Sequence, residues 1–395
     1  MKTSVARFDI HVPDQLLSDL QTRLGRTRWI HESATDSWSA GTNPSYLRAL
    51  VQHWQSEYQW REHEAALNRL ANFTANIDGN ALHFLHERGV GADAIPIVLT
   101  HGYPDSYLRF RKLIPLLTNP TAHGGDERDV FDVVVPSLPG FGFSTVSNEH
   151  AGIFDVGAMW HKLMTEALGY ERYAAHGGDW GSLVTEQLAR DHRDSLIGIH
   201  LTDVPFWHAF QRPDNLTGVE EKFLDDNKAT QQREGAYAVL QGTRPQTLAD
   251  ALSDSPAGMT AWLVEKFQSL SDCGGNIENR FTKDELITNV MLYWVNASIG
   301  TSFLPYYDMT HAGAARWIQE KAKTWLGSSH VPAAFALFPK DLTHTPRKWA
   351  ERFFNVERWT EMPRGGHFTA LEEPELLAHD IREFFRPFRV QHPAV

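Results

Sequence analysis

The segment Tyr173-Ala174-Ala175-His176-Gly177-Gly178-Asp179-Trp180-Gly181 holds the densest chemical signal in the chain. A short strand, a G-x-Asp-x-G turn and a following helix would present one carboxylate at the tip of a sharp bend. Glycines flank the aspartate because such a turn leaves no room for neighbouring side chains. A carboxylate held there can attack an sp³ carbon and form an alkyl ester. The chain contains no G-x-S-x-G, so a serine version of the same chemistry is not on offer. The plainer alternative is a glycine-rich turn in which Asp179 caps the next helix.

An ester would need an oxyanion site and a base. Thr100-His101-Gly102-Tyr103-Pro104 follows the apolar run Ile97-Val98-Leu99, and the backbone N–H groups of Tyr103 and Trp180 are expected to converge on the ester oxygen. Arg364-Gly365-Gly366-His367-Phe368 sets a histidine in a loop ahead of an amphipathic helix. Most of the 20 histidines must be structural or solvated. His367 is singled out by chain order, in which nucleophile, acid and histidine follow one another. Asp341, after Phe335-Ala336-Leu337-Phe338, is the preferred acid, and Asp203, after Ile197–Leu201, is the alternative.

These residues need a scaffold. Near the N-terminus, Leu16, Leu17, Leu20 and Leu24 recur at helical spacing after Pro13-Asp14, and a second helix is expected from about Pro44 to Leu70. Asn76-Ile77-Asp78-Gly79-Asn80 reads as a hairpin turn leading into Leu82-His83-Phe84-Leu85. From Ile95 to Leu201 short apolar runs alternate with helical stretches, the pattern of a mostly parallel sheet covered on both faces. Between about Phe206 and Leu326 strand signals give way to helical ones, including a Thr282-x-x-Glu285 capping box. Strand-like residues return at Ala333–Phe338 and Trp359–Met362. The expected division is an N-terminal helical region (1–90) packed on a core of 91–205 and 327–395, with a helical cap (206–326) inserted between the core's two parts.

Composition narrows the partners. The chain has 37 basic and 49 acidic residues, a net charge of −12, which argues against nucleic acid and against an anionic membrane surface. A single Cys273 rules out an internal disulfide framework. No signal-like start and no span of ~18 apolar residues is present, so a cytoplasmic location without a membrane anchor is expected. A homodimer is compatible with the composition, which leaves the oligomeric state open. The His83-x-x-His86 pair falls on a presumed strand, where three-residue spacing turns the rings to opposite faces and gives no metal site.

Taken together, the motifs resemble the microsomal-type epoxide hydrolases over nearly the whole length. The matching segments are Leu24-x-x-Thr27-Arg28-Trp29, Trp60-Arg61-x-x-Glu64-x-x-Leu67-Asn68 and Ile77-Asp78-Gly79, then His101-Gly102-x-Pro104 and Pro136-Ser137-Leu138-Pro139-Gly140-Phe141-Gly142. Gly177-Gly178-Asp179, Gln241-Gly242-Thr243-Arg244-Pro245, Asp254-Ser255-Pro256 and Gly365-Gly366-His367-Phe368 complete the set. The resemblance implies an α/β-hydrolase fold with an inserted helical cap and an N-terminal helical extension. It also implies hydrolysis of an epoxide, with Asp179 as nucleophile, Asp341 as acid and His367 as base, and no cofactor or metal. Two cap tyrosines hold the epoxide oxygen in that family. The first matches Tyr237; the second aligns with Tyr306, and Tyr307 stays a contender because Leu304-Pro305 replaces the usual sequence. A phenol suits the task, since it stays protonated at neutral pH and can donate to an alkoxide. The chain also departs at Tyr103-Pro104-Asp105, where tryptophan and glycine are commoner around the proline. The aromatic-rich cap suggests a lipophilic substrate. A dehalogenase with the same aspartate is the nearest rival, although a halide needs weak donors and no proton. A non-catalytic ligand-binding protein on the same fold is the rival of another class.

Overall fold

The computed structural model describes residues 4–31, 35–91, 93–146, 152–210, 212–311 and 329–389. Among the described residues one sheet has nine strands in the order β1-β2-β3-β5-β4-β6-β7-β8-β9. These are β1 Val5–Arg7, β2 Asn72–Ile77, β3 Asn80–Glu87, β4 Ile95–Thr100, β5 Phe131–Pro136, β6 Tyr173–Gly177, β7 Leu196–Leu201, β8 Pro332–Leu337 and β9 Asn355–Glu361. From β5 through β4 to β9 every pairing is parallel, whereas β1, β2 and β3 add on antiparallel. The central β5 and β6 are buried at every residue, as expected of strands covered on both faces, while β9 at the edge is partly exposed throughout. Asp78 (φ 51°) and Gly79 (φ 82°) form the tight turn between β2 and β3, the hairpin anticipated from Asn76 to Asn80.

The expected helix from Pro44 to Leu70 is two helices, Pro44–Ser56 and Trp60–Asn68. The break turns Tyr58 inward, where its hydroxyl meets Thr288 Oγ1 at 3.1 Å and its ring stacks on His63. The second helix is then pinned from inside by Glu64, whose carboxylate accepts the Val12 N–H at 2.7 Å and the Trp60 indole N–H at 3.0 Å. Region 1–90 is therefore not only helical, since β1, β2 and β3 extend the sheet. Its helices Asp14–Gly25 and Pro44–Ser56 rest on the helix Pro256–Ser269, and Pro44–Ser56 also touches Lys283–Val295. Both of those partners belong to the expected cap rather than to the sheet.

Between β7 and β8 the described elements are helical, including Gly218–Glu234, Ala236–Thr243, Pro245–Asp254 and Leu304–Thr310. Residues 312–328, part of the expected cap, lie outside the described residues. The capping box at Thr282 and Glu285 is formed, each side chain bonding the other's backbone N–H. No described helix is long and apolar enough to cross a membrane.

Candidate active site

Asp179 sits where β6 ends and the helix Trp180–Asp191 begins, with φ 59° and ψ −128°. A non-glycine residue in that conformation costs about 1–3 kcal/mol and persists only where its surroundings impose it. Here they do. A Cβ on Gly181 would run into the Thr100 carbonyl, and one on Gly102 would run into the Asp179 carboxylate. Glycine at both positions lets the two turns close on each other. Asp179 holds the capping position of its helix yet its side chain caps nothing. Oδ1 instead accepts the Tyr103 N–H at 2.9 Å. Burial pushes the Asp179 pKa up, opposed by His367, by the N–H groups of Tyr103 and Trp180, and by Arg109.

Asp341 and His367 come from adjoining loops, tied together where the Lys340 N–H meets the Gly365 carbonyl at 3.0 Å. His367 Nδ1 lies 2.8 Å from Asp341 Oδ1, and Nε2 lies 3.7 Å from Asp179 Oδ2. Nε2 has no hydrogen-bond partner among the described residues. Burial alone would lower the His367 pKa; Asp341 and, less strongly, Asp179 outweigh it and lift it to about 9, with Arg109 opposing. Asp203, the alternative acid, lies beneath the elbow. Its Oδ1 accepts the Asp179 N–H at 3.1 Å and its Oδ2 accepts the Ser182 hydroxyl at 3.2 Å. Burial and the Asp341 charge raise its pKa to about 7. The imidazole N–H thus faces Asp341, and Asp203 supports the turn.

Tyr237 and Tyr306 reach the same space from helices Ala236–Thr243 and Leu304–Thr310, which pack together. Their rings lie 5.8 Å apart, and Tyr306 sets its edge against Trp180 at 5.0 Å. Burial raises both phenol pKa values, and the Asp179 charge adds to the rise. Tyr306 is 8% exposed, whereas Tyr307 is 37% exposed and stacks on His311. Of the two contenders, the structure brings Tyr306 to Asp179. Tyr103 joins the group, its ring nearly parallel to Tyr237 and its hydroxyl accepting the Trp262 indole N–H at 3.0 Å.

Two supporting side chains, Glu372 and Arg109, went unnoticed in the sequence, and Asp105 stood out there only as a departure from the resembled family. Glu372 accepts the N–H groups of Gly366 and Phe368, both at 3.0 Å, and so clamps the loop on either side of His367. Arg109 donates to the His367 carbonyl, and Asp105 pairs with Arg109. One signal was available: Tyr107-Leu108-Arg109-Phe110 puts a cation among large apolar residues, and all four are buried.

Sheet order, elbow and histidine loop define an α/β-hydrolase fold. Residues 5–110 match the family described as "Epoxide hydrolase N terminus", and residues 95–258 match "alpha/beta hydrolase fold". A Stigmatella aurantiaca protein is 40% identical over 98% of this chain and 86% of its own length. "Epoxide hydrolase 1" of Sus scrofa is 34% identical over 96% of this chain and 88% of its own. The crystal structure of juvenile hormone epoxide hydrolase from the silkworm Bombyx mori superposes with a TM-score of 0.86 at 27% identity, covering 98% of this chain and 95% of that one. The chain belongs to the epoxide hydrolase family.

Proposed function

We propose that the protein opens an epoxide through a covalent ester on Asp179 and releases the vicinal diol. What carries this reading is the placement of His367 between two carboxylates, 2.8 Å from Asp341 and 3.7 Å from Asp179. Asp179 Oδ1 is engaged by the Tyr103 N–H, so Oδ2 is the oxygen free to attack the ring carbon. As that C–O bond forms, the ring C–O bond breaks, and the phenols of Tyr237 and Tyr306 hold the oxygen and supply its proton. Esterification removes the Asp179 charge, one of the groups that keep His367 protonated. The imidazole then gives up its proton more readily, that proton restores the phenol spent in ring opening, and the neutral imidazole, oriented by Asp341, takes one from water as it adds to the ester carbonyl. The N–H groups of Tyr103 and Trp180 stabilise the oxyanion, and its collapse expels the diol.

The same reading makes 206–326 a cap over a core of 91–205 and 327–395, with 1–90 packed beside both. The aromatic rings gathered beside Asp179 include Trp180, Tyr103 and Tyr306, and their character supports a lipophilic epoxide. The test is intact-protein mass spectrometry of His367→Ala mixed with an epoxide that the wild type turns over. Attack by the carboxylate does not need the base, so the variant should gain the mass of the whole epoxide, and Asp179→Ala should gain nothing. No adduct, with ¹⁸O from water entering the diol directly on the first turnover, would mean that water attacks the epoxide itself.

A further inference from the structure

We infer that the buried Asp105–Arg109 pair is a positioning device that links the oxyanion turn to the His367 loop and serves the hydrolysis of the ester rather than its formation. The inference rests on the roles of Asp179 and His367 proposed above. Arg109 Nη1 lies 2.8 Å from Asp105 Oδ2, with the two side chains 2% and 1% exposed. At one end of the pair, Asp105 Oδ1 accepts the Gly102 N–H at 3.1 Å, next to the oxyanion donor of Tyr103. At the other end, Arg109 Nη2 donates to the His367 carbonyl, and its guanidinium lies over the Phe368 ring at 5.9 Å. Helix Lys283–Val295 fixes the Asp105 segment from above: Tyr293 donates to the Asp105 carbonyl and Asn289 to the Pro104 carbonyl, each at 2.8 Å.

A buried ion pair is a poor stabilising device, because a well-packed apolar replacement is often neutral or better. The two ends of this one do not stop in packing; they hold backbone groups beside the two reacting parts of the site. The charge works in the same direction. The groups acting on His367 are Asp341, Asp179 and Asp203 on the acidic side and Arg109 on the basic side. With Asp179 esterified, Arg109 faces two remaining acids and favours the neutral imidazole that hydrolysis requires.

The two steps can be timed separately by quenching single turnovers and weighing the protein across a pH series. Arg109→Met should slow ester hydrolysis at neutral pH by at least about tenfold, the low end for a misplaced catalytic group, and change ester formation by less than about threefold. Loss of the cation raises the His367 pKa, so the pH at which hydrolysis switches on should move upward. Arg109→Lys should return that switch toward the wild-type pH. Because Arg109→Met leaves Asp105 buried and unpaired, Asp105→Asn/Arg109→Met is measured beside it and should show the same selective loss. If both steps slow equally with the switch unmoved, or if neither changes in the double variant, the pair is packing alone and the inference fails. Absence of any adduct in wild type and variants alike would instead remove the covalent reading beneath it.

Discussion

The two sides of the site are built by different means. On the Asp179 side, glycine backbone is closely approached: Gly181 lies against the Thr100 carbonyl, and Gly102 against the Asp179 carboxylate. On the tyrosine side, two helices far apart in sequence bring side chains together, and Tyr237 meets Tyr306 ring to ring at 5.8 Å. Close backbone approach tolerates few residue types, so it leaves glycines in fixed places. Side-chain convergence tolerates many neighbours and leaves little trace. One side of the site is therefore rigid by construction, and the other depends on how helices pack.

The most severe way to probe that contrast is to add one methyl group to each side. Gly181→Ala would press a Cβ against a strand carbonyl that cannot move without distorting β4. We expect no detectable ester on Asp179 and a stability loss on the order of 3 kcal/mol or more, as for severe overpacking. Gly242→Ala is the matching change between the tyrosine helices, where the nearest atom is the Thr310 side-chain methyl. The Tyr306 carbonyl also lies 3.2 Å from the added Cβ, but no contact there is as close as the Thr100 carbonyl is at Gly181, so this variant should stay folded and keep at least about a tenth of its activity. Thermal melts and adduct mass measure both. Equal damage at the two sites would show that the helical side is as fixed as the elbow.

A smaller effect is expected from the phenols. Tyr237→Phe and Tyr306→Phe should each slow ester formation by about 10²–10³, the usual cost of removing one donor to a developing oxyanion, and the double variant should nearly abolish it. Tyr307, exposed and stacked on His311, should tolerate the same change. Rates of adduct formation under single-turnover conditions decide the matter. A silent Tyr306→Phe beside a crippled Tyr307→Phe would mean that the helix Leu304–Thr310 turns differently when substrate is bound.

Legibility followed the same division. The parallel strands, the elbow and the histidine loop could be read because glycines and apolar runs mark them locally. Asp341 is preferred to Asp203 in the sequence because it follows a late strand, since both acids satisfy the chain order; the structure adds a physical contrast, with Asp203 occupied by the Asp179 N–H and Ser182. The tyrosines came from resemblance alone, since nothing in Gly235-Ala236-Tyr237 signals a partner some seventy residues onward. The break at Tyr58 was hidden for a related reason. Helical periodicity runs through it, and the competing contact with Thr288 lies 230 residues away. Arg109 and Glu372 act on backbone groups of His367 and its neighbours, and such contacts impose no spacing on the sequence.

Tyr103 belongs to both sides and should respond least. Its N–H donates to Asp179 Oδ1, the oxyanion position proposed above, while its ring lies edge-on to Tyr306 at 5.5 Å and its hydroxyl accepts from Trp262. Tyr103→Phe keeps the backbone donor and the ring and removes only the hydroxyl. The Trp262 N–H then loses its acceptor, which costs stability by about 1 kcal/mol, the low end for an orphaned donor that is only partly buried. If the hydroxyl does no more than receive that bond, ester formation should stay within about fivefold of wild type, far from the loss expected at a direct oxyanion donor. Ester hydrolysis should be untouched, because the N–H that stabilises its oxyanion is unchanged. A loss as large as that of Tyr237→Phe would mean that a third phenol holds the epoxide oxygen. The oxyanion residue would then contribute to ring opening through its side chain and to ester hydrolysis through its backbone, and the two sides of the site would share one residue in both steps.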